Sequence, residues 1–461
     1  MTLASLDLFH VLAALAALLT FAHLGGVVVN RIGLPPMLGE LTGGLLLGAT
    51  VLGRVGPDVY QWLFDTPQGS QAVPPLVPIL GFCSQLGLLL LMFVGGLAMR
   101  RLVDHKDVRA VAWITGLGVS VPVVTALVIF RFQDFGAYLG PARSLPALHI
   151  VLIAALAVTS IPVITRIFID LDLIDTRLAR IVLSVAVLED VLLYVGISLA
   201  VGMANGQAKA DASIPSLLSM DPNGPLYIAW HVGASLLLLV AASMSAAVLP
   251  SGVARGRTRN PIARRSPLGW TVAFVCAVTL VAMLLGLAPI FGALVAGIAV
   301  ANDDRPAFVV ARREIESFAM ATFIPIYFAL VGVSLDLVDA FDWRLTLGLL
   351  LVGTTVKFTA TLIGARMAGE PPAMARALAA SVNARGGPGI VLATTAIAAG
   401  IIDARTFTAL VVLALATSAG AGTWLGWTLR RNPAADALIR DVGVGDPSTA
   451  AVRPSPALPA A

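Results

Sequence analysis

Thirteen apolar runs, most of them about twenty residues long, follow one another along a chain of 461 residues, and this recurrence leaves few folds open. A helix rises 1.5 Å per residue, so about twenty residues cross the roughly 30 Å hydrocarbon layer of a bilayer. A segment in lipid must satisfy its own backbone, which restricts it to a helix or a closed barrel. The two-residue alternation of barrel strands is missing here. Only 12% of residues are charged, 58% are hydrophobic and the mean hydropathy is +0.91, whereas soluble domains carry about 25% charge. The sequence therefore predicts an all-α polytopic membrane protein. Cys83 and Cys276 lie in separate runs and supply no disulfide or zinc framework. The first run follows MTLASLD, which has no Lys or Arg, and reads as a true span rather than a cleaved leader.

The runs occupy about 8–30, 35–53, 76–99, 108–132, 146–170, 178–204, 225–249, 267–287, 288–302, 317–336, 345–368, 374–402 and 405–430. Sorting the 30 basic residues by alternating sides puts 21 on one side and six on the other, with Arg166, Lys357 and Arg385 inside spans. Basic loops stay in the cytoplasm, which predicts an outside N-terminus and a cytoplasmic C-terminus in a plasma (inner) membrane. Spans two to six and nine to thirteen form two sets of five. The fourth member of each set carries helix breakers, TSIP at 159–162 and NARGGPG at 383–389. Seven spans separate the sets, so the copies have opposite orientation, the inverted-repeat pattern in which broken helices mark a midplane site. The expected organisation is a transmembrane unit over 1–431 with two discontinuous crossing helices. A Pro/Ala-rich tail over 432–461 reads as disordered and cytoplasmic.

Within VLEDVLLYV, Glu189 and Asp190 stand more than ten residues from either end of the sixth span, roughly 17 Å deep and beyond the reach of snorkelling. Neighbouring carboxylates in a poorly hydrated site repel and lose solvation. Proton and metal cation then compete for one carboxylate, which couples their fluxes. A structural ion pair is the competing reading. Lys357, in GTTVKFTATLIG, is equally deep and needs a carboxylate partner. Consecutive helical residues point about 100° apart, so Glu189 is expected to face Lys357 while Asp190 faces a water-filled cavity and binds the alkali cation.

The breakers supply further oxygens. Around Thr159, Ser160 and Pro162 the freed carbonyls and hydroxyls are hard ligands of the kind alkali cations use, with a simple proline kink as the alternative. Asn383, Arg385, Gly386, Gly387, Pro388 and Gly389 cannot sustain a continuous helix, although a packed turn without ion contacts would satisfy the same pattern. Arg385 is placed to neutralise a half-helix end or to meet a carboxylate. Arg166 lies near a span end and can snorkel. Glu40, His23 and His231 read as satisfied packing groups, and Ala293 with Gly297 as small-residue helix packing.

Several motifs together resemble the second monovalent cation:proton antiporter family, which includes bacterial sodium/proton antiporters, potassium efflux systems and plant cation/proton exchangers. They are LPPMLGELTGGLLLG, LLLMFVGGLAM, FGALVAGIAV and IPIYFALVGVSLDL, and the resemblance covers nearly all of residues 1–430. TSIPVITRIFIDLDLID followed by VLSVAVLEDVLLY, and SVNARGGPGIVLA, are especially similar to the plant branch. The resemblance implies a sodium/proton antiporter-like fold, Asp190 as the ion-binding aspartate and Lys357 as the basic residue of the tenth core helix. Relatives often carry Asp, Asn or Gln where Glu189 stands, a choice associated with whether transport moves net charge. It also implies elevator-like alternating access and a homodimer in membrane lipid. The expected function is exchange of Na⁺ or K⁺ for protons, with no cofactor, no nucleic-acid partner and no appended nucleotide-binding regulatory domain. A same-fold carrier of an organic ion and a transporter-derived sensor are the alternatives. An acid-dyad hydrolase is disfavoured because such dyads draw their acids from different helices.

Overall fold

The computed structural model describes residues 5–31, 36–64, 76–98, 107–174, 176–205, 213–221, 224–253, 263, 265–301, 303, 305–431, 433, 437 and 439. The tail expected to be disordered thus lies largely outside the described residues. So do the basic residues of 99–106 and those of 254–264.

Helices run α1 Ser5–Arg31, α2 Pro36–Leu47, α3 Leu52–Val55, α4 Pro57–Phe64, α5 Leu76–Ala98, α6 Val108–Phe132, α7 Leu145–Ala157, α8 Ile161–Asp170, α9 Arg177–Asn205 and α10 Ile214–Leu217. They continue as α11 Pro225–Val253, α12 Pro267–Leu284, α13 Pro289–Ala301, α14 Pro306–Ala321, α15 Phe323–Val333, α16 Trp343–Met367, α17 Pro372–Val382, α18 Gly386–Ala398 and α19 Ala404–Arg431. Among the described residues, ten stretches are long and apolar enough to cross a membrane. The short α13 and the interrupted pairs α7/α8 and α17/α18 occupy the remaining places of the thirteen runs. The tenth begins at Pro306, well before the apolar run, because α14 carries Arg312, Arg313, Glu314 and Glu316. An apolar scan passes over such an amphipathic lead-in.

Packing obeys the exchange of the two repeats. α2 lies on α15, and its counterpart α13 lies on α5. The neighbours α6–α7, α7–α9 and α6–α9 are matched by α16–α17, α17–α19 and α16–α19, while α6–α16 and α5–α15 are their own counterparts. Backbones touch at the equivalent crossings: a Cβ on Gly44 would stand 1.9 Å from the Ala329 carbonyl, and one on Gly297 2.3 Å from that of Phe93. These crossings tie α1, α2, α5, α13, α14 and α15 into a panel, against which α6–α9 and α16–α19 stand as a bundle.

Loop contacts separate two ends. At one, Gly140 N donates to Ile401 O (3.0 Å) beside the isolated Leu139–Ile402 bridge, Tyr138 reaches Asp342 and Arg54 pairs with Asp339 at 2.7 Å. This is the bridge end. Asp342 there caps α16, and the N–H groups of Leu345 and Arg344 hold its carboxyl below the usual aspartate range. At the other, the clamp end, Arg177 makes a two-armed contact with Glu370 (2.8 Å) and also holds Asp107 at 2.8 Å. Three bundle segments are joined there.

The apolar core divides unequally between these ends. Towards the bridge end one cluster takes residues from both bodies, among them Met92, Leu294 and Tyr327 of the panel with Leu152, Tyr194 and Ile390 of the bundle. Towards the clamp end the buried cluster, including Ile114, Val163, Phe168, Val185, Leu378 and Leu425, is drawn from the bundle and the adjoining tail residue Ile439. Panel residues have clusters of their own.

Candidate functional site

The two interruptions meet. α7 stops at Ala157, Val158 is extended, and α8 resumes at Ile161 with Pro162 in its first turn, where the missing N–H leaves no bond unmade. In the partner the break itself is Asn383–Arg385, and Gly386, Gly387, Pro388 and Gly389 form the first turn of α18. Across the gap Ser160 N donates to Ala384 O at 2.6 Å. Gly386 has φ +30°, and a Cβ there would lie 2.2 Å from Val163 Cγ2 and 2.8 Å from Ser160 Oγ, so this crossing requires glycine. Its N–H donates to Ser418 Oγ at 2.9 Å.

Breaking α7 exposes the carbonyls of its last turn, the negative end of a half-helix. Both buried cations converge on them. Arg385 donates through Nε to Ala155 O (2.9 Å) and through Nη2 to Leu156 O (3.0 Å) and Gly353 O (2.7 Å), while Nη1 holds Asn383 Oδ1 at 3.0 Å. Lys357 Nζ uses its three N–H groups on Ala157 O, Gly118 O (3.1 Å) and Glu189 Oε1 (2.6 Å). Of the two roles open to Arg385 in the sequence, the structure shows the helix-end one.

Glu189 therefore faces Lys357, and its Oε2 accepts from Thr159 Oγ1 at 2.6 Å. Thr159 also lies 2.5 Å from Val382 O, so its single hydrogen serves the acid or the opposing half-helix. Asp190 points elsewhere. It is 3% exposed and its Oδ1 has no hydrogen-bond partner among the described residues. The water-filled cavity expected in front of Asp190 is not open in this conformation. Instead Tyr194, one helical turn onward, is buried with its hydroxyl 2.7 Å from the Met92 sulfur.

An unpartnered buried carboxylate oxygen is costly unless something binds it. With Lys357, Arg385, Glu189 and Asp190 all ionised the four charges cancel, so the site accepts one added positive charge, a proton or a monovalent cation, at Asp190. Oxygens of the broken helices, Thr159, Ser160 and the Val382 carbonyl, lie at the same crossing as hard donors. The ring nitrogens of His231 lie 2.9 Å from the Tyr227 carbonyl and 3.1 Å from that of Gly286, with an N–H donating to one of them, and Gly297 packs against Gly96. The side chain of Arg166 lies outside the described ones. Sequence reasoning missed Tyr194 and Tyr327, which read as ordinary apolar filling. It also missed the Asp107–Arg177–Glu370 clamp, whose members lie just before α6, at the first residue of α9 and between α16 and α17, with no common spacing.

The geometry can be set beside known proteins. Cation/H(+) antiporter 20 of Arabidopsis thaliana is 26% identical over 395 residues, covering 83% of this chain and 44% of the plant protein. K(+)/H(+) antiporter 1 of Saccharomyces cerevisiae is 25% identical over 392 residues, covering 83% and 42%. The chain thus spans under half the length of these two relatives. The solved sodium proton antiporter MjNhaP1 of Methanocaldococcus jannaschii has the same fold, with a TM-score of 0.62 over 91% of this chain and 98% of that one at 13% identity. The family described as the transmembrane sodium/hydrogen exchanger matches residues 16–431, and the chain belongs to that family.

Proposed function

We propose that this protein exchanges a monovalent metal cation, Na⁺ or K⁺, for protons across a membrane, and that Asp190 is the group for which the two compete. The observation that carries the reading is the Asp190 Oδ1, buried without a hydrogen-bond partner among the described residues, beside a crossing of two broken helices. A cation or a proton brings the same single charge to that oxygen. The bundle then presents one occupant at a time, and the exchange needs no covalent chemistry. Lys357 and Arg385 hold the half-helix ends and Glu189 in place. Thr159 and Ser160 supply oxygens to the bound cation.

We place the protein in the plasma (inner) membrane with its N-terminus outside, on the asymmetry of its basic residues, and as a homodimer by its family. The bridge end is then the outer one. Membership of the exchanger family and the cation/proton and potassium/proton antiport for which the two relatives are named support the exchange itself.

The test uses proteoliposomes with an imposed pH gradient read by a dequenching dye. Addition of Na⁺ or K⁺ is expected to collapse the gradient in the wild-type protein. A gradient indifferent to every alkali cation would overturn the reading.

A further inference from the structure

We propose that Tyr194 and Tyr327 form the gate between Asp190 and the bridge end, closed in this conformation by contacts that bind the moving bundle to the panel. The inference rests on the antiporter reading, because a gate is needed only if Asp190 must be reached from each side in turn.

The two bodies share one buried apolar cluster towards the bridge end, whereas towards the clamp end the bundle's buried cluster takes only the partly buried Met37 from the panel. Sealing is therefore one-sided. Three polar contacts cross the sealed region. Tyr194 of α9 reaches the sulfur of Met92 on α5 at 2.7 Å. Tyr327 of α15 lies 3.1 Å from Thr394 Oγ1 on α18, and since Thr394 gives its one hydrogen to the Ile390 or Val391 carbonyl, Tyr327 is the donor. The Ala288 N–H, just before α13, donates to Ser198 Oγ on α9 at 3.0 Å.

Position makes Tyr194 the plug. It follows Asp190 by four residues, so it lies about 6 Å further along the same face of α9 and covers the carboxylate from that side. Its partner is a thioether, a weak acceptor, so parting costs little. Tyr327 and Thr394 repeat the arrangement between the other repeat's broken helix and the panel. Both tyrosines are fully buried, which leaves no water path past either ring. Opening towards the bridge end thus has to break all three contacts together, and the weak Tyr194 and Tyr327 bonds set how readily it does so.

The Ala288–Ser198 hydrogen bond supplies the test. Covalent geometry keeps the two Cα atoms within about 7 Å, close to the range a disulfide spans. Ser198→Cys with Ala288→Cys, in a Cys83→Ser/Cys276→Ser background, is reconstituted in proteoliposomes. With thiols reduced, cation-driven proton flux is expected at near wild-type rate. Oxidation should lower it at least tenfold, and reduction should restore it. Adding Tyr327→Phe, which keeps the ring but loses the bond, should slow disulfide formation about fivefold, the worth of one neutral hydrogen bond. Flux undiminished by the cross-link, or a cross-linking rate indifferent to Tyr327→Phe, would overturn the gate. Absence of flux in the reduced protein and in wild type alike would instead remove the antiporter reading on which it rests.

Discussion

At the scale of single residues the site is an arithmetic of buried charge. Lys357 has three acceptors for three hydrogens, and one of them is Glu189. Deleting the lysine alone leaves a buried carboxylate uncompensated, which costs about 3–5 kcal/mol. Lys357→Met is therefore expected to lower thermal stability in detergent by that order, and Glu189→Gln in the same chain to recover most of the loss. Equal losses in the single and double variants would show that the two groups do not act as a pair. These residues were legible in the sequence because ionisable groups are rare and expensive at such depth. The direction of Glu189 also follows, since only one of two adjacent helical positions can face a given neighbour. Tyr194 and Tyr327 were not legible. A tyrosine in an apolar run looks like filling until its hydroxyl is seen to cross from one body to another.

At the scale of elements the fold turns on two half-helix junctions. Proline and glycine clusters announce the interruptions, and their equal rank in two sets of five spans announces the inversion. What sequence cannot supply is the identity of a backbone acceptor. The carbonyls of Ala155, Leu156 and Ala157 matter because α7 stops there, and a carbonyl has no side chain to mark it. The glycines of 386–389 likewise read as the break, yet they are the first turn of the helix after it, with Gly386 alone at the close approach. Arg385 binds four oxygens through a planar fork that a lysine cannot reproduce. Arg385→Lys should keep the charge but lose at least two of those bonds, lowering the melting temperature and slowing exchange severalfold. A lysine variant indistinguishable from wild type in both measurements would mean that charge alone is what α7 requires.

At the scale of the whole molecule two bodies share an apolar seal at one end only, while Arg177, Asp107 and Glu370 fasten three bundle segments at the other. The proposed exchange has the bundle move as one piece past the panel. Its charge decides how a membrane potential acts on that motion, at about 2.3 kcal/mol per charge per 100 mV. If Asp190 alone exchanges occupants, the loaded bundle carries the same charge in both directions and the potential has little effect. If Glu189 also releases a proton, the two directions differ by one charge. The acid at this position points to the second case, so exchange under a clamped potential should depend on voltage and Glu189→Gln should weaken that dependence. An unaltered voltage dependence in Glu189→Gln would exclude Glu189 from charge coupling.

The central claim is that one carboxylate, Asp190, holds either the proton or the cation. Its most direct test is proton release on cation binding, followed in weakly buffered detergent solution as Na⁺ or K⁺ is added to the purified protein. The account predicts at least one proton released per saturated site, the first from Asp190, falling as the pH is raised until Asp190 is already ionised, and none from Asp190→Asn. Saturable cation binding without proton release, or undiminished release from Asp190→Asn, would contradict it.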